Sequence, residues 1–148
     1  MSKAIVPFQE KCTGCRICEQ TCSLRHFKVL NPMRSRIQIH KMSLETDLPV
    51  ICNHGIACNK ECIDVCPVNC IVMEGDIVKI VEADCISCKA CVSACPYDSI
   101  HMHDAVAIKC DLCGGGPECV QVCSLGAIRY DSGPKERFDH VRKLAGGR

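Results

Sequence analysis

The cysteines of this chain recur at fixed spacings, and no other feature of the sequence constrains its fold as strongly. Of the 148 residues 17 are Cys. The first and third groups of four read CxxCxxCxxxC, the second reads Cx5CxxxCxxxC, and the fourth reads CxxCx5CxxxC, so every group ends in CxxxC. The groups are Cys12, Cys15, Cys18, Cys22; Cys52, Cys58, Cys62, Cys66; Cys85, Cys88, Cys91, Cys95; and Cys110, Cys113, Cys119, Cys123. Cys70 is left over.

Cysteine at this density indicates either a disulfide framework or bound metal. The first residues, Met1 to Ala4, lack the apolar segment of a secretory signal, and an odd number of cysteines argues against complete pairing. The nearly apolar run at residues 77–81 is far too short to span a bilayer. We therefore expect a metal-binding chain in the reducing cytoplasm, without direct membrane insertion.

The CxxCxxCxxxC spacing is typical of bacterial ferredoxins, in which three thiolates hold one 4Fe-4S cluster and the fourth reaches a neighbouring cluster. The CxxCxxC loop turns its backbone N–H groups toward the sulfurs, and such a concave set of amides stabilises a negative centre. The fourth Cys lies about one helical turn later, displaced by only about 6 Å along the axis. Zinc is the alternative, but zinc sites use pairs of ligands and leave the third equally spaced Cys unexplained.

A repeated segment follows the fourth cysteine of the last three groups. It covers residues 66–71, 95–100 and 123–128. In this repeat Cys70 stands where the other copies have Ser99 and Ala127. We therefore expect Cys70 to be a small buried side chain and not a ligand.

The inner two groups form a continuous stretch of sequence. Residues 71–80 predict a hairpin that turns near Gly75 and Asp76 and leads directly to the third group. Residues 52–102 are thus expected to form a complete two-cluster unit.

The outer two groups must then pair with each other across the inserted unit. Their strands are expected at residues 4–8 with residues 106–109, and at residues 128–130. The segment 23–50 is expected to wrap the core or to meet a partner. We expect an α+β fold of nested two-cluster ferredoxin-like units, with short helices and short antiparallel hairpins around four clusters. The outer unit comprises residues 1–51 plus 103–130, and residues 131–148 are a C-terminal tail that contacts a partner or is frayed.

Nesting predicts that the ligand sets cross over within each pair of groups, because the fourth Cys of one group reaches the cluster of the other. Cluster A takes Cys12, Cys15, Cys18 and Cys123; cluster B takes Cys110, Cys113, Cys119 and Cys22; cluster C takes Cys52, Cys58, Cys62 and Cys95; cluster D takes Cys85, Cys88, Cys91 and Cys66.

Cluster C has the least regular motif. Gly55 stands where a CxxC pattern would place its second Cys, so Cys58 must substitute. If Cys52 or Cys58 does not ligate, this cluster has an unusual ligand or is a 3Fe-4S cluster. His54 lies nearby, and we expect it to face solvent or to support the site without ligating iron.

The order of these motifs resembles the four-cluster iron-sulfur subunits of molybdenum and tungsten pterin oxidoreductases and of related hydrogenase and formate dehydrogenase complexes. The resemblance covers residues 4–130. It implies a subunit that is not an enzyme by itself, within a hetero-oligomer, and that relays single electrons between a large catalytic subunit and a second redox subunit or ferredoxin. A compact chain of this kind also resembles the small subunit of tungsten-dependent aldehyde oxidoreductases, which implies such a catalytic partner.

Two other functions remain open. A freely diffusing polyferredoxin would carry the same clusters, and an enzyme or sensor could use a labile cluster C. Nucleic acid is not expected as a partner, because aromatic residues do not interleave with the basic ones.

Overall fold

The computed structural model describes residues 2–146, which form short helices and two-stranded antiparallel sheets. The strands are β1 (Ala4–Pro7), β2 (Gln38–Lys41), β3 (Asp47–Val50), β4 (Ile71–Glu74), β5 (Ile77–Ile80), β6 (His101–His103), β7 (Val106–Ile108) and β8 (Ile128–Asp131). The helices are α1 (Ile17–Phe27), α2 (Glu61–Asp64), α3 (Ala90–Ala94), α4 (Glu118–Val122) and α5 (Lys135–Leu144). The expected combination of short helices and antiparallel hairpins is confirmed. Within residues 2–146, no helix has the length and apolarity that crossing a bilayer requires.

The hairpin expected at residues 71–80 is confirmed. Strand β4 pairs with β5 so that Ile71 lies opposite Ile80 and Glu74 lies opposite Ile77. The two-residue turn between them begins with Gly75 at a φ of 61°, a conformation that glycine adopts without steric cost.

The expected pairing of residues 4–8 with residues 106–109 is wrong. Strand β7 pairs instead with β6 through a two-residue turn, because a local hairpin closes a much shorter loop than a distant pairing. Strand β1 pairs along its whole length with β8, the strand expected at residues 128–130. The β6–β7 hairpin runs from His101 to Ile108, across the expected boundary between residues 102 and 103.

The helices pack in two pairs, α1 against α4 and α2 against α3. Each of these helices carries the third cysteine of one group, and the fourth lies within the helix or just beyond its end. The first and fourth cysteine groups therefore lie together, as do the second and third.

The turn after each repeated fourth cysteine has one conformation in all three copies. Asn69, Asp98 and Gly126 occupy the same offset and have φ values of 53°, 49° and 63°. Asn, Asp and Gly are the residues that best tolerate this left-handed region. The residues that follow them, including Cys70, are all buried.

The segment 23–50 covers the core. Its β2–β3 hairpin and the residues before it bury Ile37, Ile39 and Leu48. Ile37 packs with Cys22 and Cys110, two of the expected ligands.

Residues 135–144 form a docked helix, and the expectation of a frayed tail is wrong for this stretch. Helix α5 packs on β1 and β3, and its Phe138 is only 2% exposed where it meets Ala4 and Val6. The Asp139 carboxylate accepts a hydrogen bond of 2.6 Å from the hydroxyl of Tyr97. The last part of the expected tail, residues 147–148, lies outside the described residues.

The packing of α5 predicts the effect of truncating its buried aromatic ring. Phe138→Ala should lower the free energy of unfolding by about 3–5 kcal/mol, because it removes a buried ring and leaves a cavity against β1. Chemical denaturation of the anaerobically purified protein, followed by far-ultraviolet circular dichroism, measures this change.

Glu136→Ala is the matched control, since Glu136 is exposed on the same helix. It should change the stability by about 0.5 kcal/mol or less. Equal stability of the two variants would contradict the packing of α5 on the core.

Candidate metal centres

The four thiols of expected set A line a single cavity of about 210 Å³. Cys12, Cys15 and Cys18 come from the loop before α1 and from its first turn, and Cys123 follows the end of α4. The packing of α1 on α4 thus brings together cysteines that are distant in the sequence.

The thiols of sets B and D each line a cavity of their own. Cys22 from α1 joins the three other members of set B, Cys110, Cys113 and Cys119. Cys66 joins the members of set D, Cys85, Cys88 and Cys91, and Cys70 lines the same cavity.

The thiols of set C are close enough to interact electrostatically. Burial raises the pKa of Cys58, and the neighbouring Cys52 and Cys95 raise it further. Burial raises the pKa of Cys62 to about 12, with contributions from Cys52, Cys95 and Cys58. Gly55 contributes no side chain at this site. Cys58, which the sequence predicts to replace the missing cysteine at position 55, interacts electrostatically with other thiols of set C.

In each of sets A, B and C, at least one cysteine sulfur accepts a hydrogen bond from a backbone N–H group. The N–H of His54 donates to Cys52 Sγ at 3.4 Å, and that of Leu112 donates to Cys110 Sγ at 3.4 Å. The N–H of Ala127 donates to Cys123 Sγ at 3.3 Å. Such bonds favour the negatively charged thiolate over the thiol.

The loops before three helices share one backbone turn that directs amides inward. Arg16, Lys60 and Lys89, the residues directly before α1, α2 and α3, have φ values of 60°, 61° and 62°. Alternation of left-handed and right-handed residues makes a concave nest of N–H groups that binds an anionic centre.

Several of these thiols need a metal before they can ionise. Burial raises the pKa of Cys18 to about 12 and raises the pKa of Cys110 and Cys119 as well. A thiol of this kind stays protonated in the metal-free chain, whereas metal binding displaces the proton. The donor set of clustered, amide-directed cysteine sulfurs therefore fits iron-sulfur clusters, which thiolates hold.

Cys70 contacts an expected ligand. Its sulfur lies 3.4 Å from Cys66 Sγ, just as Ser99 Oγ lies 3.3 Å from Cys95 Sγ. Burial raises the pKa of Cys70 to about 12, and the adjacent Cys66 adds to the rise. The structure thus places Cys70 beside a set of four in the position that Ser fills in the next copy of the repeat.

His54 does not face solvent, so that part of the expectation is wrong. Its ring is buried, and Nδ1 accepts a hydrogen bond of 3.2 Å from the backbone N–H of Val78. Burial, together with the charge of Lys109, lowers the pKa of His54 to about 3, so the ring is neutral. Nε2 is buried and, within residues 2–146, has no hydrogen-bond partner.

A polar network beside set B was not found by sequence reasoning. His26 Nε2 lies 3.1 Å from Asp111 Oδ1, and Arg36 donates to Asp111 Oδ2 at 2.7 Å and to Glu82 at 2.6 Å. Burial alone would lower the pKa of His26, but its hydrogen bonds to Asp111 and Cys22 raise it to about 9. No sequence signal links His26 to Asp111, because 85 positions separate them.

That network also brings a histidine and a carboxylate close to an expected ligand. Atoms of His26, Asp111 and Cys113 lie within 4.8 Å of one another. Arg36 pairs with Asp111 and neutralises its charge. The group is therefore better suited to orient the side chains of Cys22 and Cys113 than to bind a separate cation.

Lys109 is another buried residue that the sequence analysis did not identify. It precedes Cys110 and is only 2% exposed. A lysine at the end of a short strand has no sequence feature that marks it as buried, since lysine is almost never fully buried.

Models of known families match the two regular cysteine groups. A 4Fe-4S binding domain matches residues 78–101, and a second 4Fe-4S binding domain matches residues 9–25.

Known proteins are similar to this chain over most of its length. The polyferredoxin-like subunit of an aliphatic sulfonate oxidoreductase from Pyrococcus furiosus is 38% identical over 77% of this chain and 67% of its own length. YsaA of Escherichia coli, whose name proposes an electron transport protein, is 33% identical over 87% of this chain and 89% of its own length. The chain belongs to the polyferredoxin-like family of 4Fe-4S proteins. It therefore binds 4Fe-4S clusters and serves in electron transfer.

Some relatives are much longer than this chain. UacF of Escherichia coli is 35% identical over the whole chain, which spans only 25% of the length of UacF. The family thus includes proteins in which a polyferredoxin-like segment is one part of a larger molecule.

The position of Cys70 predicts different outcomes for two neighbouring cysteines. Cys70→Ala should leave the iron content unchanged, because Ala already occupies the equivalent position 127. Cys66→Ala is the matched control and should reduce the iron content by about a quarter, since it removes an expected ligand of one of the four expected clusters.

Colorimetric iron assays and electron paramagnetic resonance of the anaerobically purified variants measure the result. Loss of a cluster from Cys70→Ala would show that Cys70, and not Cys66, completes set D.

Proposed function

We propose that the chain holds four 4Fe-4S clusters with the ligand sets A, B, C and D given above. Three of these sets each line a separate cavity, and the members of the fourth interact electrostatically. The pairing of α1 with α4 and of α2 with α3 supports the proposed crossing of ligands between groups. That pairing is the observation that carries the proposal.

We further propose that the two pairs are nested units, the outer one from residues 1–51 and 103–130 and the inserted one from residues 52–102. The pairing of β1 with β8 supports the outer unit, because it joins the two ends of that segment. The β6–β7 hairpin crosses the proposed boundary between the two units at position 102.

The short helices support close spacing of neighbouring clusters. Helix α1 carries Cys18 of set A and Cys22 of set B, about one turn or 6 Å apart along the axis. Close spacing of this kind suits the movement of single electrons along a row of clusters.

Electrons can reach the row at two exposed positions. Cys15 of set A and Cys88 of set D are exposed, whereas the second cysteines of the other groups are partly covered. Apolar side chains lie beside both: Ile17 is 48% exposed and Ile86 is 59% exposed. Exposed apolar surface at both sites suits docking of redox partners.

The partners proposed are a large catalytic oxidoreductase subunit and a second redox subunit or ferredoxin, in a hetero-oligomer. The name of the Pyrococcus furiosus relative, a subunit of an oxidoreductase, supports this arrangement. The resemblance of the sequence to compact tungsten enzyme subunits extends the proposal to a tungsten or molybdenum pterin aldehyde oxidoreductase. The chain itself is proposed to be non-catalytic, since four cysteines on each cluster leave no open iron for substrate. We also propose that it works in the cytoplasm, where reducing conditions keep cysteines free of disulfides.

A free polyferredoxin is the second candidate. The name of YsaA, an electron transport protein without mention of a complex, favours it. Both candidates require the same four clusters and differ only in how long a partner stays bound.

The cluster number predicts the metal content. Anaerobically purified protein should contain about 16 Fe and about 16 acid-labile sulfides per chain, because each 4Fe-4S cluster contributes four of each. Colorimetric assays and metal analysis by mass spectrometry measure both. Stoichiometric zinc without sulfide would overturn the proposal, and about 12 Fe would remove one cluster from it.

The two partner arrangements predict different behaviour on affinity purification. A subunit should retain a large oxidoreductase chain at a fixed ratio through size-exclusion chromatography, with pterin and tungsten or molybdenum in the same fractions. A free carrier should elute alone and reduce an added oxidoreductase in solution. Elution alone with no electron donation to any redox protein would contradict both.

A further inference from the structure

Lys109 is a buried lysine without an acidic partner. Its Nζ donates a hydrogen bond of 2.9 Å to the backbone oxygen of Cys110 and another to that of Val78. Among residues 2–146 no carboxylate forms an ion pair with it. A buried ammonium that meets only carbonyl oxygens is expensive, so a negative charge is needed nearby.

The surroundings of Lys109 join two of the proposed ligand sets. Lys109 directly precedes Cys110 of set B. It donates to the backbone oxygen of Cys110, and Cys110 packs in one buried cluster with Cys52 of set C. One ammonium thus lies where the two sets meet.

His54 completes the connection from the side of set C. Its backbone N–H donates to Cys52 Sγ, while its ring accepts from the N–H of Val78, whose carbonyl oxygen binds Lys109. Because the buried His54 ring is neutral, it adds no charge to that of Lys109. His54 and the peptide groups of Val78 therefore connect Cys52 to the ammonium through a series of hydrogen bonds.

We propose that Lys109 is a positively charged bridge between clusters B and C, which stabilises an added electron on either cluster and raises the reduction potential of both. The inference rests on the proposed function, because it takes the ligand sets B and C as given. With four thiolates a 4Fe-4S cluster carries a charge of about 2− when oxidised and about 3− when reduced by one electron. The electron that one cluster gains is the electron that its neighbour loses, and no proton moves.

Electrostatics sets the size of the expected effect. A unit charge a few Å from a buried centre interacts with it more strongly than in water, because the effective dielectric constant of proteins is lower. Removing it should lower the ratio of reduced to oxidised cluster at the wild-type midpoint by about tenfold or more. Two clusters should shift to more negative potentials, and the other two should shift much less.

Three variants separate the charge from the hydrogen bonds. Lys109→Gln keeps a donor and loses the charge, Lys109→Met loses both, and Lys109→Arg keeps both. Lys79→Gln is the matched control, because Lys79 follows Val78 on β5 but pairs with Glu74 near the surface. All are prepared anaerobically and titrated with dithionite while electron paramagnetic resonance follows each cluster.

The proposal expects full iron content in the variants, negative shifts of two clusters in Lys109→Gln and Lys109→Met, and potentials near those of the wild type in Lys109→Arg and Lys79→Gln. Unchanged potentials in Lys109→Gln, or an equal shift in Lys109→Arg, would overturn it.

Failure to assemble is also informative. Iron loss from both neutral variants with retention in Lys109→Arg would support the charge, because Gln keeps a donor. Iron loss from all three Lys109 variants would overturn the proposal in favour of a packing role. A wild-type chain without four clusters would instead contradict the proposed function.

Discussion

The bond between buried cysteine sulfur and metal is the interaction on which the rest of the molecule depends. The two main hydrophobic core clusters combine cysteines of the four groups with aliphatic residues, in comparable numbers. Burial raises the pKa of several thiols, including Cys18 and Cys119, and keeps them protonated in the metal-free chain, whereas nearby loops direct amides at cysteine sulfurs. These features oppose each other until iron supplies the positive charge that makes thiolate the stable form. We therefore expect cluster binding and folding to be coupled in this chain.

Features set by short-range spacing were predictable from the sequence. The β4–β5 hairpin and the buried position of Cys70 follow from motifs a few residues long. The partner of β1 was not predictable with the same rules, because residues 106–108 and 128–131 both form short strands and only the adjacent turn decides that β7 pairs with β6. Lys109 was missed for a different reason. Its burial depends on Val78, which lies 31 positions earlier, and no local pattern records such a contact.

The C-terminal helix shows how a chain with five aromatic residues completes its core. Phe138 fills the space over Ala4 and Val6 that the outer pair of strands leaves uncovered. The hydroxyl oxygen of Tyr97, which follows the third cysteine group, lies 2.9 Å from Ala57 O and 2.6 Å from Asp139 Oδ1, so both acceptors compete for its one proton. Burial and the Asp139 carboxylate raise the pKa of Tyr97, so the hydroxyl stays a donor. The helix thus ties the β1 strand to both inner cysteine groups, and this accounts for order where the sequence suggested a frayed tail.

The distribution of positive charge follows from where water can screen the clusters. The formal charge of the chain is +1, and four clusters with their thiolates would bring it to about −7. At Cys15 and Cys88 the thiols are exposed, so water and ions screen the added electron, and the adjacent Arg16 and Lys89 need not be buried. Sets B and C contain no exposed thiol, so water and ions screen their charge less effectively. A fixed ammonium where the two sets meet offsets part of the negative charge of both. The cost of desolvating one lysine is therefore offset in the interior by the negative charge of the clusters. Near Cys15 and Cys88 no buried lysine is needed, because solvent already screens the charge there.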